Sequence, residues 1–119
     1  MIEKLLDELV SRVKGATGAM IVAVDGEAVQ FGAESIDDRL RLRGAYAAVV
    51  MQTFRTASSR SGMGRLKHVV VDYDGSVLVA HEIDEDCSVV LELESGAGVG
   101  LAVYQSGITA AKLLREIAV

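Results

Sequence analysis

Hydrophobic and polar positions alternate along this chain in two distinct rhythms, and the rhythms predict its elements. Ile2, Leu5, Leu6, Leu9, Val10 and Val13 recur at helical spacing with charged residues between them, so the chain opens with an amphipathic helix that Gly15 is placed to cap. Ala19 to Val24 reads as a buried strand, Asp25-Gly26 as a two-residue hairpin turn, and Ala28 to Gly32 as the returning strand. A long helix is predicted from Ile36 to Arg60. Ser35 is its N-cap with Asp38 three positions on, Asp37 and Asp38 suit its positive end, and Gly62 and Gly64 break it. Leu66 to Tyr73, Ser76 to Ile83 and Cys87 to Leu93 are the remaining strands, with turns at Asp74-Gly75 and Asp84-Glu85-Asp86. After the loop Glu94 to Gly98 comes a final helix.

The order is αββαβββα. The fold class expected is α/β of the α+β type, with a five-stranded antiparallel-type mixed sheet in a single domain of residues 1–119. Runs such as Val69-Val70-Val71 and Val89-Val90-Leu91 lack alternation, so both sheet faces should be covered. The long helix is expected on one face and the two terminal helices on the other.

The long helix carries more apolar surface than one sheet face can use. At about 100° per residue, Leu40, Gly44, Ala47, Met51 and Phe54 form one apolar face. Leu42, Ala45, Tyr46, Val49 and Thr53 form a second, opposite face, with Arg41, Ala48, Gln52 and Arg55 between the two. A surface helix ordinarily has one such stripe and a polar back. The second face needs a cover that this chain has no spare element to provide.

Composition narrows the class. Half of the 119 residues are hydrophobic and 24% are charged, which excludes a disordered chain. The longest apolar runs, Ala45 to Met51 and Ala19 to Val24, are too short to span a bilayer. The charged N-terminal pattern is not a secretory signal, and the single cysteine, Cys87, suits a reducing compartment, so a cytoplasmic protein is expected. A net charge of −5 argues against general nucleic-acid binding. The charge is segregated: Arg39, Arg41, Arg43, Arg55, Arg60, Arg65 and Lys67 follow one another without an acidic residue, whereas His68 to Ala111 holds no lysine or arginine. Two readings stay open: two solvated patches that keep the protein in solution, or a polar molecule whose two sides suit different partners.

Catalytic chemistry is sparse. Gly96, Gly98 and Gly100 lie between a strand and a helix but match neither the dinucleotide fingerprint nor the Walker motif, and are read as letting the last helix dock closely. Ser58, Ser59 and Ser61 lack a nearby histidine or acid in a nucleophile motif, and Cys87 lacks a basic activator. Asp84-Glu85-Asp86 lacks the spacing of a calcium loop. If Asp74-Gly75 is a two-residue turn, Tyr73 pairs with Ser76, Val70 with Val79 and His68 with His81. Two imidazoles are too few for a structural metal, and no third ligand is evident, so the pair is read as packed under a helix or lining an interface. No catalytic residue, cofactor or metal site is expected.

The stretches Ala19-Met-Ile-Val-Ala-Val-Asp-Gly26, Ala45 to Ala48, Leu66-Lys-His-Val-Val-Val-Asp72 and Ser88-Val-Val-Leu-Glu-Leu93 together resemble the roadblock family, the dynein light-chain relatives. The resemblance covers nearly the whole chain and rests on size and hydrophobicity. It implies the αββαβββα order and a homodimer in which the third strand pairs across the interface and the long helices pack together. On that expectation Leu42, Tyr46, Val49, Thr53, Val69 and Val71 form the dimer interface. It further implies a regulator or scaffold of a small Ras-like GTPase, as bacterial members commonly are, and, on the pattern of members from gliding bacteria, stimulation of hydrolysis by remodelling of the partner. The alternative is a structural adaptor in a signalling or motor complex, and a third reading is a ligand or metal sensor at His68 and His81. Arg39, Arg41, Arg43 and Arg55 are the expected partner-facing residues.

Overall fold

The computed structural model describes residues 1–32 and 37–117. Its elements run α1 (Ile2–Arg12), β1 (Ala16–Ala23), β2 (Ala28–Phe31), α2 (Asp38–Ser61), β3 (His68–Asp72), β4 (Ser76–Glu82), β5 (Cys87–Glu94) and α3 (Val99–Ile117), the order read from the sequence. The five strands lie side by side as β2-β1-β5-β4-β3, and all four ladders are antiparallel. β5 is the centre of the sheet; β2 and β3 are its edges.

Both faces of the sheet are covered at its centre, which explains the unbroken run Val89-Val90-Leu91 in β5; Val69-Val70-Val71 lies instead on edge strand β3, where burial alternates and Val70 is exposed. Successive strand residues point to opposite faces. Met20, Val22, Leu78, Ala80 and Val90 therefore pack with Leu40, Ala47, Ala48 and Met51 of α2. Ala19, Ile21, Val77, Val79, Val89, Leu91 and Leu93 pack on the other side with Leu6 and Leu9 of α1 and Ala102, Ala110 and Leu113 of α3. Each fully buried Leu, Ile or Val in these layers contributes about 1.5–3 kcal/mol.

Several local expectations are corrected. α1 ends at Arg12, with Val13 extended as its cap; Gly15 instead sits in the next turn at φ +90°. A Cβ there would come 2.7 Å from Ala97 Cβ, so the turn requires glycine on both counts. The first hairpin closes over three residues rather than two: Ala23 N–H donates to Glu27 O, Gly26 N–H donates to Ala23 O, and Gly26 takes φ +90°. That is a type I turn followed by a left-handed residue, the usual three-residue hairpin. The second hairpin has the two-residue turn expected, since Tyr73 N–H donates to Ser76 O.

The predicted N-cap Ser35 and the start at Ile36 lie outside the described residues. The observed cap is Asp37, whose carboxylate accepts from Arg39 N–H at 2.8 Å. α2 ends where Gly62 turns left-handed at φ +72°. The buried face of α2 is also rotated from expectation. Ala48 is buried and Phe54 is 50% exposed. Measured around the helix, Ala48 and Arg55 flank the Leu40–Met51 line on one side and Phe54 on the other, and the sheet lies under the first flank.

Candidate functional site

The outward face of α2 is the most conspicuous surface of the protomer. Packing Leu40, Gly44, Ala47 and Met51 on the sheet turns Leu42, Tyr46 and Val49 outward, where they are 57%, 60% and 61% exposed. Thr53 lies on the same side, with its hydroxyl donating back to Val49 O. Beside it runs the β3 edge, where Val69 and Val71 are half-buried and Val70 and Tyr73 are exposed. Leu42, Tyr46 and Val49 thus share the outward side of α2, and Tyr46 lines one cleft with Tyr73 at the end of β3.

The four partner-facing arginines divide into two pairs. Arg43 ion-pairs with Glu92, which is buried and also accepts the Thr17 hydroxyl at 2.7 Å. Arg55 Nε lies 3.3 Å from one oxygen of buried Glu82, and Arg65 Nε lies 2.9 Å from the other. Arg55 also donates to Ser88 Oγ at 3.4 Å. These two candidates therefore face into the fold. Buried carboxylates are costly unless paired, and here the helix supplies the cations that the sheet face needs. Arg39 and Arg41 are the pair that remain at the surface. Arg39 contacts exposed Asp37 at 3.7 Å, a contact of little energetic weight, and Arg41 lies over the Phe31 ring at 5.2 Å.

Glu82 and Glu92 were legible as sheet residues but not as buried charges. Their signal was positional: Leu78, Ala80, Glu82 and Val90, Glu92 each continue one face by steps of two, directly under α2. The cleft alongside, about 560 Å³, is lined by Arg55, Ser58, Arg65, Glu82 and Asp84 among others. Its arginines already face Glu82, so it is a poor match for a phosphate.

His68 and His81 are directly opposed across the β3–β4 ladder, with ring centroids 5.7 Å apart and planes inclined by 24°. His81 Nδ1 is 3.1 Å from Glu82 O, a carbonyl that only accepts, so Nδ1 carries the proton. Nε2 is then turned under α3, where a Cβ on Gly107 would come within 3.2 Å. Burial lowers the His81 pKa below its ordinary 6.5, with the Glu82 carbonyl opposing and the neighbouring His68 reinforcing the shift. His81 therefore stabilises the fold as a neutral ring. That contribution is fully present above the unfolded pKa of 6.5 and is lost as pH falls through the lower folded value. Thermal melts between pH 7 and 5 should show a falling Tm in the wild type and a shallower fall in His81→Gln. Parallel slopes would refute this.

Other candidates take structural positions. Cys87 is a buried free thiol that donates to Asp84 Oδ1 at 3.4 Å, and burial together with that carboxylate pushes its pKa up to about 12. Ser61 donates its hydroxyl to Ala57 O within α2. Gly96, Gly98 and Gly100 have open space where a Cβ would stand, so they do not serve close docking of α3. Gly96 takes φ +84°, which accounts for one of the three. Close approach of α3 to the sheet occurs further along, at Gly107 over His81. Among the described residues, no three histidine, cysteine or acidic side chains converge as a metal site, and no helix is long and apolar enough to cross a membrane.

No family model matches the sequence, and no curated protein matches it. Solved structures do. A Roadblock/LC7 domain from Streptomyces avermitilis superposes with a TM-score of 0.87 at 20% identity, over 98% of each chain. The fold is the roadblock fold. An MglB in a tetrameric arrangement gives 0.83 at 19% identity, over 99% of this chain and 90% of the other. The gliding protein MglB of Thermus thermophilus gives 0.81 at 18% identity, over 96% and 86%. At these identities the shared property is the arrangement of α2 across one sheet face, α1 and α3 across the other, and β3 at an edge. The roadblock fold therefore places the apolar tract on α2 beside an open strand.

Proposed function

We propose that the protein is a homodimeric, non-enzymatic regulator or scaffold of a small Ras-like GTPase. The observation that carries the reading is the uncovered tract of Leu42, Tyr46 and Val49 beside the open β3 edge. A second copy placing the same tract against it would bury both, in the manner of an isologous interface. The tetrameric arrangement of one MglB with this fold is consistent with self-association. The GTPase partner rests on the roadblock resemblance of the sequence. Among the described residues, the Ser61 hydroxyl and the Cys87 thiol hydrogen-bond within the fold, which favours a regulator over an enzyme.

Arg39 and Arg41 are the arginines proposed to face the partner, because Arg43 and Arg55 are held by Glu92 and Glu82. Remodelling of the GTPase is favoured over an inserted arginine. An arginine finger contributes about 10³–10⁵ in rate, so under that mechanism a single alanine substitution abolishes stimulation while sparing binding. Remodelling predicts small, graded losses in both for Arg39→Ala and Arg41→Ala. The test is binding and GTP turnover with any Ras-like GTPase encoded beside this protein. Absence of binding would overturn the GTPase reading. Binding without altered turnover would leave a scaffold.

A further inference from the structure

The last helix has an outward side that its place in the fold does not explain. Ala102, Ser106, Thr109, Ala110 and Leu113 of α3 are buried against the sheet. At about 100° per residue, Leu101, Tyr104, Ile108 and Ala111 are turned away from it. Leu101 is 48% and Tyr104 65% exposed, Ala111 is exposed and Ile108 is half-buried. No residue from Val99 to Ala111 is charged. The neighbouring α1 has the polar back expected of a surface helix, with Glu3, Lys4 and Arg12 exposed. Gly100 adds to the contrast. Nothing stands within 4 Å of where its Cβ would be, so the protomer does not require this poor helix former.

We propose that this side of α3 packs antiparallel against α3 of a second copy, about a two-fold axis level with Ser106. The contact is separate from the α2 tract and does not rest on it. Spacing identifies a helix as the cover. Leu101, Tyr104, Ile108 and Ala111 succeed one another by three, four and three residues, the repeat whose seam a facing helix fills. The same spacing reads identically in both directions about Ser106. With the axis there, Leu101 meets Ala111 of the partner subunit and Tyr104 meets Ile108 of the partner subunit. Every member of the seam is then covered by another member.

Charge selects a second copy, and selects the antiparallel arrangement. Positions flanking such a seam carry the charges that choose between partners. Here they are Gly100, Gln105, Gly107, Lys112 and Leu114, uncharged except for the lysine. Two copies with a net charge of −5 repel elsewhere on their surfaces, and at this neutral seam they do not. Lys112 and Arg115 both lie at the C-terminal end of the seam. A parallel pair would set each of them against its own copy. The antiparallel pair separates them to opposite ends, where Lys112 comes level with Gly100 of the partner subunit.

The contact involves about three turns of one helix, less than a standard interface, so the expected Kd is on the order of 0.1–1 mM. Sedimentation equilibrium of the full-length protein, from about 10 µM to about 2 mM, should show the micromolar species doubling in mass. Leu101→Glu, at an exposed position, should weaken the doubling at least tenfold with helical signal and melting unchanged. Adding Ala111→Lys, also exposed, should restore it, because the antiparallel register sets the new carboxylate against the new ammonium of the other copy. A parallel pair would face each new charge with its like and stay weak. No doubling up to about 2 mM overturns the self-contact and leaves the seam to a helix of another protein. Doubling that Leu101→Glu leaves unchanged overturns α3 as its site, and a double substitution that fails to restore it overturns the antiparallel register. Val49→Asp separates this contact from the homodimer reading, since it removes the α2 contact while doubling through α3 persists.

Discussion

Val49→Asp is expected to convert a dimer into a folded monomer. Val49 is 61% exposed in the protomer and sits near the middle of the tract formed with Leu42 and Tyr46. Against a second copy, the carboxylate would be buried in apolar surroundings without a cation. That costs about 4 kcal/mol, or roughly a thousandfold in dimer affinity. The isolated protomer has no such penalty, because the substituted side chain remains in water. Sedimentation velocity at micromolar concentration should show the dimer for wild type and the monomer for the variant, with the helical circular dichroism signal retained. A wild type that sediments as a monomer, or a variant that remains dimeric, would sink the α2 interface.

Arg43→Met is expected to lose more stability than any ordinary surface substitution. Glu92 is buried at the centre of the sheet, and with Arg43 gone it would keep only the Thr17 hydroxyl. Breaking a buried ion pair from one side costs about 3–5 kcal/mol. The Arg43 side chain is 34% exposed, so solvent screening places the loss near the lower end, about 3 kcal/mol. Adding Glu92→Gln removes the orphaned charge and should recover about half or more of the loss, which a double-mutant cycle in urea would measure. If Arg43→Met alone melts like wild type, α2 is not held to the sheet by this pair. The same substitution tests the division of the arginines, since a residue serving only a partner would leave folding stability unchanged.

The two arginine pairs show where sequence reasoning stopped short. Arg39, Arg41, Arg43 and Arg55 look alike on a helical wheel with an unknown counterface. Their roles separated only when β4 and β5 brought Glu82 and Glu92, from strands 27 and 49 residues away in sequence, under α2. Phe54 and Ala48 exchanged burial for a related reason. A helical wheel gives angles, but the sheet beneath the helix chooses which flank is covered.

The rhythm of apolar positions was sufficient for the order of elements, both covered faces and the His68–His81 opposition. Those depend on local periods and on a two-residue turn, which act over a few residues and are written directly in the sequence. Tertiary structure decided the three-residue first hairpin, the cap at Asp37, the close approach at Gly107 and the partners of each charge. These depend on which strand lies beside which, and on what stands within a few ångströms across the fold. The uncovered face of α2 belongs to both. Periodicity showed that a second apolar stripe existed, and the finished fold showed that the three helices among the described residues all pack on the sheet, so that stripe stays uncovered in the protomer.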